Sequence, residues 1–138
     1  DRYLGFTKAM TKWKKKVDPA HVIPDRDENR YGYKIDVELP EKLPDGFVCN
    51  CDKAAKTLLY KLLERGVSIP VSIVSFDHYY SQVQSGIELT TYENDEKVIA
   101  SISVNTLIKR IEGGKHPKGI RIVEGRVIQG NTVKERKN

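Results

Sequence analysis

The sequence predicts an α/β domain with a mainly parallel sheet and flanking helices, on three observations. Short apolar runs at 46–51, 71–76 and 89–92 have the length of buried strands and are bounded by Pro, Gly or polar residues. Segments 52–66 and 94–112 carry helical spacing and lie between or after those runs. Strands separated by helices through short loops become parallel neighbours, because a parallel pair needs a crossover long enough to hold a helix.

Element by element, the first helix is predicted over residues 2–16, where Leu4, Phe6, Ala9, Met10, Trp13 and Val17 fall mainly on one side, and Asp18-Pro19 ends it. A short strand, His21-Val22-Ile23, is closed by Pro24 and the charged loop Asp25-Arg26-Asp27-Glu28. Over 31–39 the signals conflict. Tyr31, Tyr33, Ile35, Val37 and Leu39 alternate as a half-buried strand would, whereas Ile35 and Leu39 alone suit a helical face; the local pattern favours strand. After Pro40 and Pro44 comes the buried strand 46–51, and Asp52 reads as the N-cap of the clearest helix. Its Ala55, Leu58, Leu59, Leu62 and Leu63 repeat at i, i+3, i+4, i+7, i+8 up to Gly66.

Beyond Pro70, strand 71–76 ends in the polar cluster Asp77-His78-Tyr79-Tyr80-Ser81. Strand 89–92 follows, and Asn94-Asp95 caps a helix that runs to Glu112 and stops at Gly113-Gly114. That helix is apolar almost all round, through Val98, Ile99, Ile102, Val104, Leu107 and Ile111, so it needs cover on more than one side. Short strands at 120–123 and 126–128 precede a charged tail.

The 138 residues suit one domain or part of a larger one, and 38% hydrophobic residues are enough for a core and exclude the signature of disorder. No apolar run approaches the roughly 18 residues of a membrane span. The start, Asp1-Arg2-Tyr3, has neither Met nor a signal-like segment, which leads us to expect a processed or excised N-terminus. Cys49 and Cys51 are too few and too close for a secreted disulfide framework and read as reduced thiols. The net charge of +5 comes largely from terminal runs, Lys12-Trp13-Lys14-Lys15-Lys16 and Lys134-Glu135-Arg136-Lys137, which read as solvated faces.

Ligands of parallel sheets sit beyond the carboxyl ends of strands, which singles out Asn50-Cys51-Asp52 and Asp77-His78. Asp77 is placed either to accept hydrogen bonds from ligand hydroxyls or to pair with an Arg, or else to cap a loop. Asp52 is explained as an N-cap without any ligand. Arg2 could clamp a ligand through its donor fork or simply be solvated. Cys49 and Cys51 share a face, yet no second Cys pair and no His at ligand spacing completes a metal site. Neighbouring residues at a strand end point to opposite sides, so Asp77 is poorly placed to orient His78, and catalysis by His78 or Cys51 is not expected. No G-x-G-x-x-G or phosphate loop supports a nucleotide cofactor.

Taken together, the segments resemble the effector-binding core of the lactose/galactose-repressor (LacI/GalR) family of bacterial transcription regulators. Arg2-Tyr3-Leu4-Gly5-Phe6 is similar to the family's R-x-x-G-F/W helix start, Leu43-Pro44-Asp45-Gly46-Phe47-Val48 to its P-x-A-hydrophobic strand, and Cys51-Asp52-Lys53-Ala54-Ala55 to N-D-x-x-A. Residues 66–77 resemble G-hydrophobic-x-V/I-P-x-D-I/V-S-V-V-G-F/Y-D, Leu89-Thr90-Thr91 the P-x-L-T-T element, and Ile111-Glu112-Gly113 the end of the next helix.

The resemblance implies one subdomain of a type I periplasmic-binding-protein-like fold. Residues 1–88 would form the second subdomain, 89–118 a hinge crossing with a helix that packs on the first subdomain, and 119–138 return strands and tail. It also implies a helix over 29–36, against the local alternation. The first subdomain and a helix-turn-helix head that contacts operator DNA are expected outside this chain. The implied protein is a cytoplasmic, homodimeric regulator of the repressor type that senses a sugar or sugar phosphate and is neither an enzyme nor a membrane protein; a solute-binding protein of a sugar transport system is the alternative. Carried over residue by residue, Arg2 matches an effector-contacting Arg and Asp77 an Asp that binds sugar hydroxyls or stabilises the cleft. Asp27 falls near the position of a ligand-stacking aromatic, and Cys51 takes the place of the usual Asn. Ser75 stands for a Gly, and Gly130 for the Arg of a terminal R-x-S/T element.

Overall fold

The computed structural model describes residues 2–27, 31–67, 71–79, 82–84, 86–115 and 118–133. The expectations for Asn29, Pro70, Tyr80, Ser81, His116 and the basic run 134–137 therefore lie outside the described residues. A four-stranded sheet holds the fold, in the order β1 (Gly46–Val48), β2 (Ser72–Phe76), β5 (Thr90–Glu93), β6 (Arg126–Ile128). The first three strands are parallel and β6 is antiparallel to β5, in agreement with the predicted mainly parallel sheet. A small antiparallel hairpin, β3 (Gln82–Gln84) with β4 (Ile87–Glu88), was not anticipated.

Helix α1 (Arg2–Lys12) ends four residues before the predicted limit. Lys14 adopts φ 54°, outside the helical region, and Asp18 then caps a short 3₁₀ turn, Pro19–His21, by accepting from the Ala20 N–H at 2.9 Å. That turn replaces the expected strand at 21–23. Over 31–39 neither expectation holds for the described residues. Tyr33 forms only an isolated bridge with Arg26, and Gly32 sits at φ 139°. Ile35 is 91% exposed, so the alternating side chains have no sheet to lie on.

Helix α2 (Asp52–Glu64) forms as its spacing predicts and buries Ala55, Leu58, Leu59 and Leu62 against the sheet, where Phe47, Ile73 and Leu89 complete the core. Its cap is shifted by one residue. Cys51 holds the extended N-cap conformation without a side-chain bond, while Asp52 is the first helical residue and points inward at 1% exposure. The Asp52 carboxylate accepts from Ser75 Oγ at 2.5 Å and Thr91 Oγ1 at 2.8 Å, tying α2 to β2 and β5. The role expected of Asp52 as a simple cap is thus corrected, and Ser75 gains a reason. At the other end Gly66, at φ 73°, lets the Gly66 and Val67 N–H groups close on the Leu63 and Leu62 carbonyls.

Gly130 and Thr132 close the far end of the sheet. Thr132 Oγ1 donates to the Ile73 carbonyl at 2.7 Å and accepts from the Thr90 N–H at 2.9 Å, so one buried side chain bridges β2 and β5. A Cβ on Gly130 would stand 2.3 Å from the Glu88 carbonyl oxygen, a clash that glycine alone avoids. Helix α3 (Glu96–Ile111) has Asp95 as its N-cap and Gly113, at φ 70°, just past its end, and none of its residues is buried. Residues 120–123 form no strand, and Ile120 and Ile122 are exposed at 94% and 85%.

Candidate functional site

The carboxyl ends of β1 and β2 and the start of α1 converge on one polar cluster. β2 runs out of the sheet at Asp77, whose N–H still donates to the Tyr92 carbonyl at 2.9 Å. Asp77 and His78 then take φ values of 97° and 57°. Such left-handed backbone is costly for residues with a Cβ and concentrates at functional sites. Here it turns the Asp77 carboxylate toward α1.

Arg2 answers it with a two-pronged ion pair. Nη1 donates to Asp77 Oδ2 at 3.2 Å, Nη2 donates to Asp77 Oδ1, and Nη1 also reaches the Asn50 carbonyl at 2.5 Å. The guanidinium lies 5.0 Å over the Phe76 ring. Its bond to Asp77 raises the Arg2 pKa above the ordinary arginine value despite partial burial. Asn94 Nδ2 approaches Asp77 Oδ1 at 3.5 Å, bringing in the residue that follows β5.

Asn50 links this pair to a second carboxylate, donating through Nδ2 to Asp25 Oδ2 at 3.0 Å. Beside it Cys51 is 4% exposed, and the Tyr33 hydroxyl bonded to it is held above the usual tyrosine range. Burial pushes the Cys49 thiol up to about 12. Both thiols are free and buried. Arg2, Asp25 and Asn50 form the polar end of a cavity of about 610 Å³ that continues past Phe6, Met10 and Val22 along the outer edge of β1. Fixed charged and amide groups at the end of a largely apolar cavity suit recognition of a small polar molecule.

Of the residues singled out from the sequence, Arg2 and Asp77 meet directly and Cys51 adjoins them, and of these three only Arg2 lines the cavity. Asp27 stands in the neighbouring loop, where its N–H donates to the Gly32 carbonyl at 3.3 Å, and it does not line the cavity. Asp25, Asn94 and Phe76 were missed; Asn50 was flagged only by its place at a strand end. Their partners lie 17 to 74 residues away along the chain, so no local pattern marks them. His78 Nε2 faces Glu93 at 4.0 Å. Among the described residues, no group of three or more His, Cys, Asp or Glu side chains could hold a metal ion. No helix there is long and apolar enough to cross a membrane.

A family model described as a periplasmic binding protein-like domain matches residues 1–133. The chain is 28% identical to the HTH-type transcriptional repressor PurR of Histophilus somni (strain 129Pt), over 93% of this chain and 40% of that protein. It is also 28% identical to the arabinose metabolism transcriptional repressor of Geobacillus stearothermophilus, over 98% of this chain and 40% of that protein. Among solved structures it is similar to a periplasmic binding protein/LacI transcriptional regulator from Alkaliphilus metalliredigens QYMF complexed with D-xylulofuranose, with 25% identity and a TM-score of 0.71 over 97% of this chain and 51% of that one. The chain spans 34–40% of the length of the curated relatives it matches.

Proposed function

The chain belongs to the family of periplasmic binding protein-like domains, among relatives that are LacI-type transcriptional repressors, and from that premise we propose that it is part of the effector-sensing core of a bacterial transcription regulator. The effector is a sugar or sugar phosphate. The observation that carries this reading is the Arg2–Asp77 pair, fixed by Asn50 and Phe76 at the carboxyl ends of β1 and β2. Arg2 and Asp77 hold the effector's polar groups from this side, and Cys51 and Asp27 flank the same region. The relatives are regulators, which supports a chain that performs no catalysis and argues against the transport alternative.

In this reading residues 1–88 form one subdomain of a two-part core, 89–118 cross to the other, and 119–138 return. An effector that closes the cleft changes DNA affinity only by its difference in binding free energy between two core arrangements, typically about 1–3 kcal/mol of coupling. Operator DNA is contacted by another part of the full-length polypeptide, which works in the cytoplasm as a homodimer whose symmetry matches a palindromic site.

Thermal-shift titration of the full-length polypeptide against sugars and sugar phosphates tests the proposal. At least one ligand is expected to raise the melting temperature and Asp77→Ala to abolish that shift while leaving a cooperative transition. An unaltered ligand response in folded Asp77→Ala protein removes Asp77 from the site.

A further inference from the structure

We infer that Asp25, held in place by Asn50, is a specificity-determining carboxylate that selects a neutral, hydroxyl-rich ligand over its phosphorylated counterpart. The inference rests on the sugar-sensing reading above and narrows it. An arginine facing a cavity ordinarily invites an anion, because its planar fork matches phosphate and carboxylate geometry. Here both terminal nitrogens of Arg2 already donate to Asp77, and Nη1 donates to the Asn50 carbonyl as well. A phosphate taking the same Nη donors would have to unpair Asp77, leaving a partly buried carboxylate beside a new anion, and one held by the remaining Nε–H and Nη2–H would still sit near the Asp77 carboxylate.

The surroundings add no surplus of positive charge. Asp25 brings a second carboxylate to the same end of the cavity, fixed by Asn50 Nδ2 at 3.0 Å with its side chain 28% exposed. Lys16, Asp18 and Lys34 also line the cavity, so the cations Arg2, Lys16 and Lys34 are matched by Asp18 and Asp25 in the lining and by Asp77, bonded to Arg2 outside it. Arg26 approaches Asp25 only at 3.9 Å and is laid over the Tyr33 ring at 3.9 Å. Beside the paired Arg2, Asp25 offers a ligand carboxylate oxygens that accept from hydroxyl donors. Asn50 works as a positioning residue, since it orders Asp25 through its amide and Arg2 through its carbonyl.

Isothermal titration of the full-length polypeptide with matched pairs, D-ribose and D-ribose 5-phosphate, D-glucose and D-glucose 6-phosphate, D-xylulose and D-xylulose 5-phosphate, tests the inference. The neutral member of at least one pair is expected to bind at least about tenfold more tightly than its phosphate, the scale of one charge-assisted hydrogen bond. Asp25→Asn should weaken the neutral sugar by about tenfold and shrink the preference within the pair. Asn50→Ala, which removes the amide that orders Asp25, should act in the same direction and serves if Asp25→Asn does not fold. Tighter binding of the phosphate in every pair that binds, or unchanged neutral-sugar affinity in both folded variants, overturns the selectivity and leaves the sugar-sensing reading standing. Binding of neither member of any pair overturns both.

Discussion

Helices α2 and α3 are both rich in aliphatic residues, yet the fold treats them in opposite ways. α2 has five buried residues in thirteen, whereas α3 has none in sixteen. Leu59 is fully enclosed and Leu107 is 58% exposed. The difference lies in arrangement. In α2 the apolar side chains form one stripe opposite a charged face, and that stripe meets a sheet built from β1 and β2. In α3 they run round the helix, and among the described residues only the stretch at Arg121 and Val123 adjoins them, beside Ile99 and Ile102, without burying any. Apolar content makes a helix want burial, but only a complementary surface places it.

Truncating one leucine in each helix would break or confirm that contrast, and the larger effect belongs to α2. Leu59→Ala is expected to cost about 3–5 kcal/mol in urea denaturation, because it removes a fully buried side chain from between helix and sheet and leaves a cavity. A loss no larger than that of an equivalent α3 substitution would mean that α2 is not the anchor of the fold.

A second test sharpens the contrast at the helix N-termini. Asp95 caps α3 locally, accepting from the Val98 N–H at 3.0 Å, while Asp52 reaches from α2 to hydroxyls on two strands. Asp52→Ala would leave the buried Ser75 and Thr91 hydroxyls without that acceptor and is expected to cost about 2–4 kcal/mol. Asp52→Asn, which keeps an acceptor oxygen, should recover part of it. Equal stability of both variants and the parent would show that the carboxylate ties nothing together.

These two aspartates also show where the sequence was legible. α2, α3, β2 and the parallel sheet follow from spacings within a few residues, and the capping role of Asp95 follows from its place before an apolar run. Asp52 looked the same in sequence, but its partners are 23 and 39 residues away, and only the assembled sheet reveals that it turns inward. The site divides in the same manner. Arg2 and Asp77 could be named from motif resemblance, whereas the Asn50–Asp25 contact joins a strand end to a loop that carried no signal beyond charge. The stretch from the 3₁₀ turn to Pro40 was the least legible. Alternation there at Tyr33, Ile35 and Val37 resembles a strand, but a strand needs a partner edge, and Tyr33 finds only the bridge to Arg26.

The smallest expected effect is also the most informative about α3. On this chain, Leu107→Ala should change stability by no more than about 0.5 kcal/mol, since an exposed leucine has little burial to lose and alanine has the higher helix propensity. If residues 89–118 cross to a second subdomain, as we propose, Leu107 becomes enclosed in the full-length polypeptide and the same substitution should then cost about 2–5 kcal/mol. The gap between the two measurements reads directly how much of the α3 surface the rest of the protein covers. A cost of several kcal/mol already on this chain would mean that α3 packs within it, and a cost below about 0.5 kcal/mol in both contexts would remove the crossing, because a helix with apolar residues all round cannot be a hinge element and stay uncovered.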